Sequence, residues 1–229
     1  MDPNEFRDIV YHKDSCGIVT LTFNTPGRKN ALSPLSFLEI YWAVDHFDAD
    51  DSAQVMIITG AKDPHSNDPK KEAFSSGGYF SPDAFEGVAD EIMQQIDMSD
   101  IAQKKVTMKF FQCNKPVIAA VNGLAIGGAF TLALVAADLI YMSEYAWIQL
   151  PFAKLGISAE LGSSFLLPRL LGFQKAKELL FSPRELMRRR HWSWVWSLGW
   201  CHTMNCWLLY EKKRGYSFRL RGRASPSAR

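Results

Sequence analysis

The sequence predicts an α/β protein in which helices cross over and cover a sheet. Short apolar runs rich in β-branched residues, which are typical of strands, alternate with longer segments of helical period. Two of the apolar runs lead into glycine pairs, which mark turns at strand ends. This alternation favours crossover connections, in which the helices pack against the faces of the sheet.

The first part of the chain predicts a strand, a helix and a second strand. Residues 17–24 alternate in polarity and are rich in β-branched residues, and a turn-rich loop follows them. Ser33 can cap a helix that has Pro34 at its first position and continues with helical period. Residues 53–60 then form an apolar strand, and the polar residues 61–73 form a loop.

The chain up to residue 181 continues the alternation of helices and strands. The predictions are a mainly helical region at 83–113, strands at 115–121, 139–143 and 146–150, a turn at 122–128, and helices at 129–138, 161–172 and 173–181, the last two separated near Pro168 and Gly172. Residues 116–137 carry no charge and reach the length of a membrane span, but two glycine-containing turns divide them. We therefore predict no membrane span.

Composition limits the class of protein. The chain has 229 residues, 47% of them hydrophobic, and a formal net charge of +2. These values suit one large domain with or without an appendage, and they argue against a nucleic-acid partner. The cysteines are scattered apart from Cys201 and Cys206, so a reducing compartment fits. The polar N-terminus predicts no leader peptide. We expect a cytoplasmic location, with the peroxisome and the mitochondrial matrix as alternatives.

Common motifs for cofactors, nucleophiles and metals are missing from the sequence. There is no GxGxxG, no P-loop and no GxSxG, and no histidine lies in an HExxH segment. The segment CHTMNC brings Cys201, His202 and Cys206 together, but a zinc site needs further ligands that the sequence does not supply. We therefore predict no metal site.

Two glycine pairs, Gly77-Gly78 and Gly127-Gly128, lie at predicted strand ends in apolar surroundings. The second pair opens a predicted helix, where backbone N–H groups have no partner within the helix and carry partial positive charge. Two such groups that converge on one point make an oxyanion hole. A simpler explanation also stays open, in which the glycines serve tight turns and close packing.

The residues around these pairs resemble the crotonase (enoyl-CoA hydratase/isomerase) superfamily. The resemblance runs over about residues 9 to 185 and is carried by NTPGRKNALS, AFSSGGYFSP, KPVIAAVNGLAIGGAFTLALVAADLIYMSEYAWIQLPFAKLGI and GSSFLLPRLLG. It implies a crotonase-like spiral of ββα repeats with covering helices, acyl-CoA thioester substrates, and a homotrimer if the C-terminus is intact. Coenzyme A is then part of the substrate, so no separate cofactor is implied.

The resemblance also implies the site residues. It places two oxyanion donors on the backbone N–H groups of Gly78 and Gly128. Contacts to coenzyme A are implied at five positions: Arg28, Lys29, Ala31, Ser75 and Gly77. The basic side chains of Arg28 and Lys29 can meet the phosphates, and the alternative is that they only keep the surface soluble.

The residues at the family's acid–base positions imply which reaction the protein catalyses. The two glutamates of the family's hydratases correspond to Thr131 and Phe152, and neither side chain can act as a base. The segment SAELGSS resembles that of peroxisomal-type Δ3,Δ2-enoyl-CoA isomerases, whose base corresponds to Glu160. This implies an isomerase that converts 3-enoyl-CoA to trans-2-enoyl-CoA in fatty acid β-oxidation. The alternatives are a hydratase-like enzyme and a non-catalytic acyl-CoA-binding protein.

A structural explanation of Glu160 also stays open. Ser158 can cap a helix with Glu160 in its first turn, where a negative charge is favourable. The other carboxylates near this part of the sequence are Asp138, which follows a predicted helix, and Glu144.

The chain changes character after about residue 186. We predict a crotonase-like acyl-CoA-binding domain at 1–186 and an aberrant basic tail at 187–229, which holds five of the seven tryptophans. Basic aromatic segments can bind membranes or nucleic acids. Our hypothesis is instead a shifted reading frame, because the tryptophan codon TGG read in the next frame yields codons for Leu, Met or Val. The coding DNA tests this hypothesis.

Overall fold

A computed structural model of the chain describes residues 1–182 and 186–187. Predictions about the tail beyond Met187, including the reading-frame hypothesis and the Cys201–Cys206 segment, lie outside the described residues. Within them the strands are Ile9–Lys13 (β1), Ile18–Phe23 (β2), Val55–Gly60 (β3), Ala73–Ser75 (β4), Val117–Val121 (β5), Leu124–Ile126 (β6), Leu139–Met142 (β7), Trp147–Gln149 (β8) and Leu186–Met187 (β9).

Helices connect and cover these strands. The α-helices are Pro34–Ala49 (α1), Asp90–Met93 (α2), Thr107–Gln112 (α3), Gly128–Ala136 (α4), Phe152–Leu155 (α5), Ser163–Leu171 (α6) and Phe173–Phe181 (α7). Short 3-10 helices occur at Pro3–Glu5, Pro26–Arg28 and Pro82–Phe85, and a π-helix at Ile101–Val106. No helix among the described residues is both long enough and apolar enough to cross a membrane.

The strands form two sheets that the chain visits in turn. One sheet has the order β1-β2-β3-β5-β7 and the other the order β4-β6-β8-β9. From β3 onward, each consecutive pair of strands up to β8 contributes one strand to each sheet, and helices follow most of these pairs. Strand β1 pairs antiparallel with β2, and β9 pairs antiparallel with β8. The other neighbouring strands are parallel. The predicted spiral of ββα repeats is therefore confirmed.

Helix α1 begins as the sequence predicts. The Ser33 side chain accepts from the backbone N–H of Ser36 at 3.0 Å, and the Ser36 hydroxyl accepts from the backbone N–H of Ser33 at 2.9 Å. This reciprocal cap satisfies two donors. Pro34 has no N–H, which costs no hydrogen bond at the first helical position because an N–H there has no partner within the helix.

Several boundaries differ from the prediction. Strand β1 was not predicted, and the predicted turn at 122–128 contains strand β6, whose three residues are too few to show a period. Pro168 lies inside α6 rather than between helices, and the break comes at Gly172. The proline removes one helical hydrogen bond, to the carbonyl of the exposed Ser164, which water can satisfy.

The region predicted as mainly helical at 83–113 consists of short helices separated by turns. One interruption occurs where Asp97 accepts hydrogen bonds from the backbone N–H and the hydroxyl of Ser99, at 3.0 and 2.6 Å. Such local side-chain bonds offer the backbone an alternative to the helix. After this turn comes the π-helix Ile101–Val106, a form often found at functional sites.

The hydrophobic core lies between the sheets and the helices that cover them. Every residue of α4 is buried, which is why this helix reads as apolar all round in the sequence. Helices α6 and α7 differ, because Phe165, Phe173 and Phe181 are 54%, 70% and 68% exposed. The start of α4, which follows strand β6, is therefore packed more completely than helices α6 and α7.

Candidate active site

The fold brings the two glycine pairs together. Strands β4 and β6 are parallel neighbours, with Ala73 opposite Leu124, so their carboxyl ends lie at the same edge of the sheet. One glycine pair follows each of these ends. A Cβ atom added to Gly77 would lie 2.8 Å from the Ile126 carbonyl oxygen, which shows how closely the two loops approach. Gly77 also has a φ of +97°, a conformation that favours glycine.

The N–H group of Gly78 points away from the loop that precedes α1. The backbone N–H of Leu32 donates to the Gly77 carbonyl at 2.8 Å, and Leu32 accepts from the N–H of Tyr79 at 2.8 Å. In a parallel bridge of this kind the central residue, Gly78, directs its own N–H to the opposite side. That side is the one on which β6 lies. Within the described residues the Gly78 N–H makes no hydrogen bond.

Gly128 is the first residue of α4, and its N–H likewise has no acceptor among the residues that the structure describes. The preceding residue, Gly127, has φ of 54° and ψ of −123°, which only glycine adopts readily, and its N–H donates to the Gln149 carbonyl at 2.8 Å. The helix dipole adds partial positive charge at this end of α4. Two N–H groups in such a setting can stabilise a developing oxyanion.

The side chain of Glu160 lies beside Gly128 at the start of α4. A Cβ atom added to Gly128 would lie 2.8 Å from Glu160 Oε1 and 3.9 Å from Leu161 Cδ1. Only a glycine at residue 128 leaves room for the carboxylate in this position. The Glu160 carboxylate therefore lies directly beside Gly128, one of the two glycines whose N–H groups have no acceptor in the described part of the chain.

The alternative explanation of Glu160, as part of a capped helix start, is wrong. Helix α6 begins at Ser163 and its N-cap is Gly162, so Ser158 caps no helix and Glu160 precedes the first turn. The Glu160 carbonyl instead accepts from the backbone N–H and hydroxyl of Ser163, at 3.0 and 2.7 Å. These bonds hold the backbone of the loop and leave the carboxylate directed towards Gly128.

Burial raises the pKa of Glu160 above its ordinary value. The opposing influence is one hydrogen bond, from the side-chain amide of Gln103 to Glu160 Oε2 at 3.2 Å. Gln103 lies on the π-helix Ile101–Val106, and nothing in the sequence around it distinguishes it from other polar residues. A carboxylate with a raised pKa is a stronger base, provided that it is ionised at the working pH.

The two positions of the hydratase glutamates are closed to acid–base chemistry. Thr131 is fully buried, and its hydroxyl donates to backbone carbonyls of the preceding turn of α4, at 3.3 Å to Gly128 and 3.4 Å to Gly127. Phe152 is 3% exposed and packs against Gly127. Asp138 accepts from the backbone N–H of Val117 at 2.8 Å, which assigns it to the start of β5.

The residues expected to contact coenzyme A line the loops beside Gly78. The backbone N–H of Ser76 donates to the Lys29 carbonyl at 3.0 Å, and the Ser76 hydroxyl donates to the Arg28 carbonyl at 3.2 Å. Ala31 and Ser75 are buried, and the Ser75 hydroxyl accepts from the Gly77 N–H at 3.2 Å. The structure thus brings all five residues to the Gly77-Gly78 side of the site.

The two basic side chains of this set have different surroundings. Lys29 is 43% exposed, with its ammonium 3.5 Å from Asp63 Oδ2. Arg28 is 24% exposed and donates to Oδ2 of the buried Asp8 at 2.8 Å. Lys29 therefore lies where a phosphate can reach it, whereas Arg28 is directed into the protein. In the described part of the chain, no group of three or more His, Cys, Asp or Glu side chains could hold a metal ion.

The chain is similar in sequence to proteins that are named for reactions of coenzyme A thioesters. The family described as enoyl-CoA hydratase/isomerase matches residues 13–188. The chain is 32% identical to rat enoyl-CoA delta isomerase 2 over 179 residues, which cover 77% of this chain and 42% of that protein. It is 30% identical to 4-chlorobenzoyl coenzyme A dehalogenase-2 of an Arthrobacter species over 185 residues, which cover 81% of this chain and 62% of that protein.

The solved structures agree on the fold. The enoyl-CoA hydratase of Bacillus anthracis is 26% identical, with a TM-score of 0.68, and the match covers 82% of this chain and 68% of that one. The chain spans about half the length of the curated relatives it matches, between 42% and 62% in the two named here. These relatives are named for three different reactions, so the reaction has to be argued from the site.

Proposed function

The chain belongs to the enoyl-CoA hydratase/isomerase family, and on that premise we propose that it is an isomerase which converts 3-enoyl-CoA to trans-2-enoyl-CoA. The observation that carries the proposal is the position of Glu160, whose carboxylate lies beside Gly128 while both hydratase glutamate positions hold other residues. One base is enough for this isomerisation, whereas hydration also needs an activated water and a proton donor.

The proposed reaction has two proton transfers at one carboxylate. The thioester oxygen accepts from the N–H groups of Gly78 and Gly128, which makes the protons on C2 more acidic. Glu160 removes a proton from C2, and the electron pair passes into a dienolate whose oxygen the two N–H groups stabilise. The carboxylic acid then returns the proton to C4, and the double bond shifts to the conjugated position between C2 and C3. No redox change occurs, and Glu160 ends as it began.

Coenzyme A serves in this proposal as the handle of the substrate and not as a resident cofactor. Lys29 would meet its phosphates, and Ala31, Ser75 and Gly77 would shape the channel that leads to Gly78. A role in fatty acid β-oxidation and, if the C-terminus is intact, assembly as a homotrimer are further expectations from the family resemblance. A cytoplasmic location, with the peroxisome and the mitochondrial matrix as alternatives, is an expectation from the sequence itself.

The experiment is a comparison of the full chain with Glu160→Gln, using 3-enoyl-CoA and the ultraviolet absorbance of the conjugated product. We expect the variant to lose at least about a thousandfold in kcat, because glutamine cannot accept the proton. Glu91→Gln is the matched control, since Glu91 is an exposed glutamate on α2. Its activity should equal that of the parent.

Two results would overturn the proposal. Formation of a 3-hydroxyacyl-CoA from 2-enoyl-CoA, without isomerisation of 3-enoyl-CoA, would assign the chain to hydration. Binding of coenzyme A thioesters by calorimetry with no turnover of either substrate would support the alternative of a non-catalytic acyl-CoA-binding protein, for which Thr131 and Phe152 are the motivating residues.

A further inference from the structure

We propose that Arg28 is a positioning residue for the Gly78 oxyanion donor and that it does not bind the phosphates of coenzyme A. The inference rests on the proposed function only for its activity readout. Its basis is the set of contacts that Arg28 makes with a buried carboxylate on one side and with the residue after Gly78 on the other.

The buried carboxylate belongs to Asp8, just before strand β1. Its Oδ2 atom accepts from the hydroxyls of Ser33 and Ser36, at 2.6 and 2.7 Å, and from the Arg28 guanidinium at 2.8 Å. Asp8 is 4% exposed. Three donors from the α1 cap and the adjoining loop hold this buried carboxylate in place. Arg28 is the nearer of the two cations that balance its charge, since Arg7 Nε lies 3.5 Å from Asp8 Oδ1.

The other face of the guanidinium lies on Tyr79. Arg28 Cζ is 4.5 Å from the centre of the Tyr79 ring, and the Tyr79 hydroxyl donates to the Asp83 carboxylate at 2.7 Å. The aromatic ring is therefore held from two directions. Tyr79 directly follows Gly78, and its N–H makes the bond to Leu32 that turns the Gly78 N–H towards β6. A displaced Tyr79 would turn that N–H away from the thioester oxygen.

The backbone of Arg28 acts on the same segment. Its carbonyl accepts from the Ser76 hydroxyl at 3.2 Å, so Arg28 contacts the residues on both sides of the Gly77-Gly78 pair. A phosphate that bound the Arg28 Nη2 atom would have to compete with Asp8, and removal of Arg28 would leave this buried carboxylate with only the more distant Arg7 as its cation. Lys29 is held less firmly. Its ammonium lies 3.5 Å from Asp63 Oδ2 and donates to the Lys71 carbonyl at 3.2 Å, but its side chain is 43% exposed and the carboxylate of Asp63 is not buried.

Binding of a chromophoric thioester tests the inference without requiring turnover. An oxyanion hole polarises the carbonyl of bound 4-hydroxycinnamoyl-CoA and shifts its absorbance to longer wavelength. We expect Arg28→Met, combined with Asp8→Asn so that no buried carboxylate loses its nearer cation, to lose most of this shift. The affinity for coenzyme A, measured by calorimetry, should stay within about threefold of the parent. The kcat for 3-enoyl-CoA should fall about tenfold or more, less than when an oxyanion donor is removed outright.

A substrate without the nucleotide separates the two roles. With 3-enoyl-pantetheine there are no ADP phosphates to bind, so the loss caused by Arg28→Met/Asp8→Asn should persist. The matched variant Lys29→Met should behave in the opposite way, with weaker binding of coenzyme A and a full spectral shift.

A different pattern would overturn the inference. If Arg28→Met/Asp8→Asn keeps the spectral shift and weakens coenzyme A binding about tenfold or more, Arg28 is a phosphate ligand. If the double variant does not fold, Arg28→Lys decides, because lysine keeps the charge beside Asp8 but loses the flat contact with Tyr79. That variant should retain coenzyme A affinity and show a reduced shift. Failure of the parent to isomerise 3-enoyl-CoA would refute the proposed function while the spectral shift still tests Arg28.

Discussion

The loops that carry Gly78 and Gly128 are held in place by different forces. Gly78 is exposed, and its loop is fastened by polar contacts: the hydrogen bonds of Leu32 and the guanidinium of Arg28 over Tyr79. Gly128 is buried at the start of α4, a helix whose every residue is buried. Polar contacts can be altered by charge and pH, whereas a packed helix start responds to added volume. The proposed base, Glu160, lies on the packed side.

The same substitution at both glycines should have very different effects on activity. Both Gly78→Ala and Gly128→Ala keep the backbone N–H, and neither residue has a positive φ. At Gly128 the new methyl group would lie 2.8 Å from Glu160 Oε1 and would displace the base. At Gly78 it would meet the ring of Phe80, which is 67% exposed and free to turn aside. We expect kcat to fall at least about a hundredfold for Gly128→Ala and less than about fivefold for Gly78→Ala.

Steady-state kinetics with 3-enoyl-CoA measure both variants, and circular dichroism checks that each is folded. Equal losses at the two glycines would contradict the comparison, since they would mean that the volume beside Glu160 has no special importance. A large loss at Gly78 alone would place the base on the polar side of the site.

The contrast also explains how much could be predicted from sequence. Strand β2 alternates in polarity, helix α1 has a capping signal, and helix α4 is an apolar run that follows Gly127-Gly128. Gly77-Gly78 likewise marks a turn after strand β4. The family resemblance added Glu160. These features depend on local sequence, and the structure places them within one site.

The missed features depend on contacts between distant segments. Asp8 and Arg28 are 20 positions apart, and Gln103 and Glu160 are 57 positions apart. No local period links such residues, and Gln103 stands in a polar stretch where an amide has no distinctive signal. The sequence therefore predicts the groups that perform chemistry better than the groups that position them.

The buried carboxyl group of Glu39 should make the stability of the protein depend on pH. Glu39 is fully buried on α1, and burial together with the nearby charge of Asp8 raises its pKa from 4.5 to about 7. Three backbone N–H groups, those of residues 7 to 9, bond to its carboxylate and lower this pKa in part. Since the folded protein binds the proton more tightly, the stabilisation is complete below about pH 4.5 and is lost as the pH rises through about 7.

Urea unfolding at pH 5 and pH 8 measures this dependence. We expect the free energy of unfolding of the parent to fall by about 2 kcal/mol between these values because of Glu39. Glu39→Gln should be less stable than the parent at pH 5, because its amide group faces a backbone donor, but its stability should no longer carry this slope. A parent whose stability is flat over this range would show that the three N–H bonds outweigh burial.

The smallest effect should come from the hydrogen bond on the packed side of the site. Gln103 donates to Glu160 Oε2 and lowers the pKa of a carboxyl that burial raises. Replacement by leucine removes the donor and keeps a similar volume, so the pKa of Glu160 should rise further. Because the base works only when ionised, the acidic limb of the pH–rate profile should move to higher pH.

Above this limb the rate of Gln103→Leu should stay within about threefold of the parent, because the base itself is intact. Gln95→Leu is a suitable control, since Gln95 is exposed and its amide donates to the backbone carbonyl of Glu91 at 3.0 Å. Its pH–rate profile should match that of the parent. A shift of the Gln103→Leu limb to lower pH would mean that the amide stabilises protonated Glu160, and it would reverse the assignment of this hydrogen bond. An unchanged limb, with a uniform loss of rate, would indicate that Gln103 orients the carboxylate without altering its ionisation.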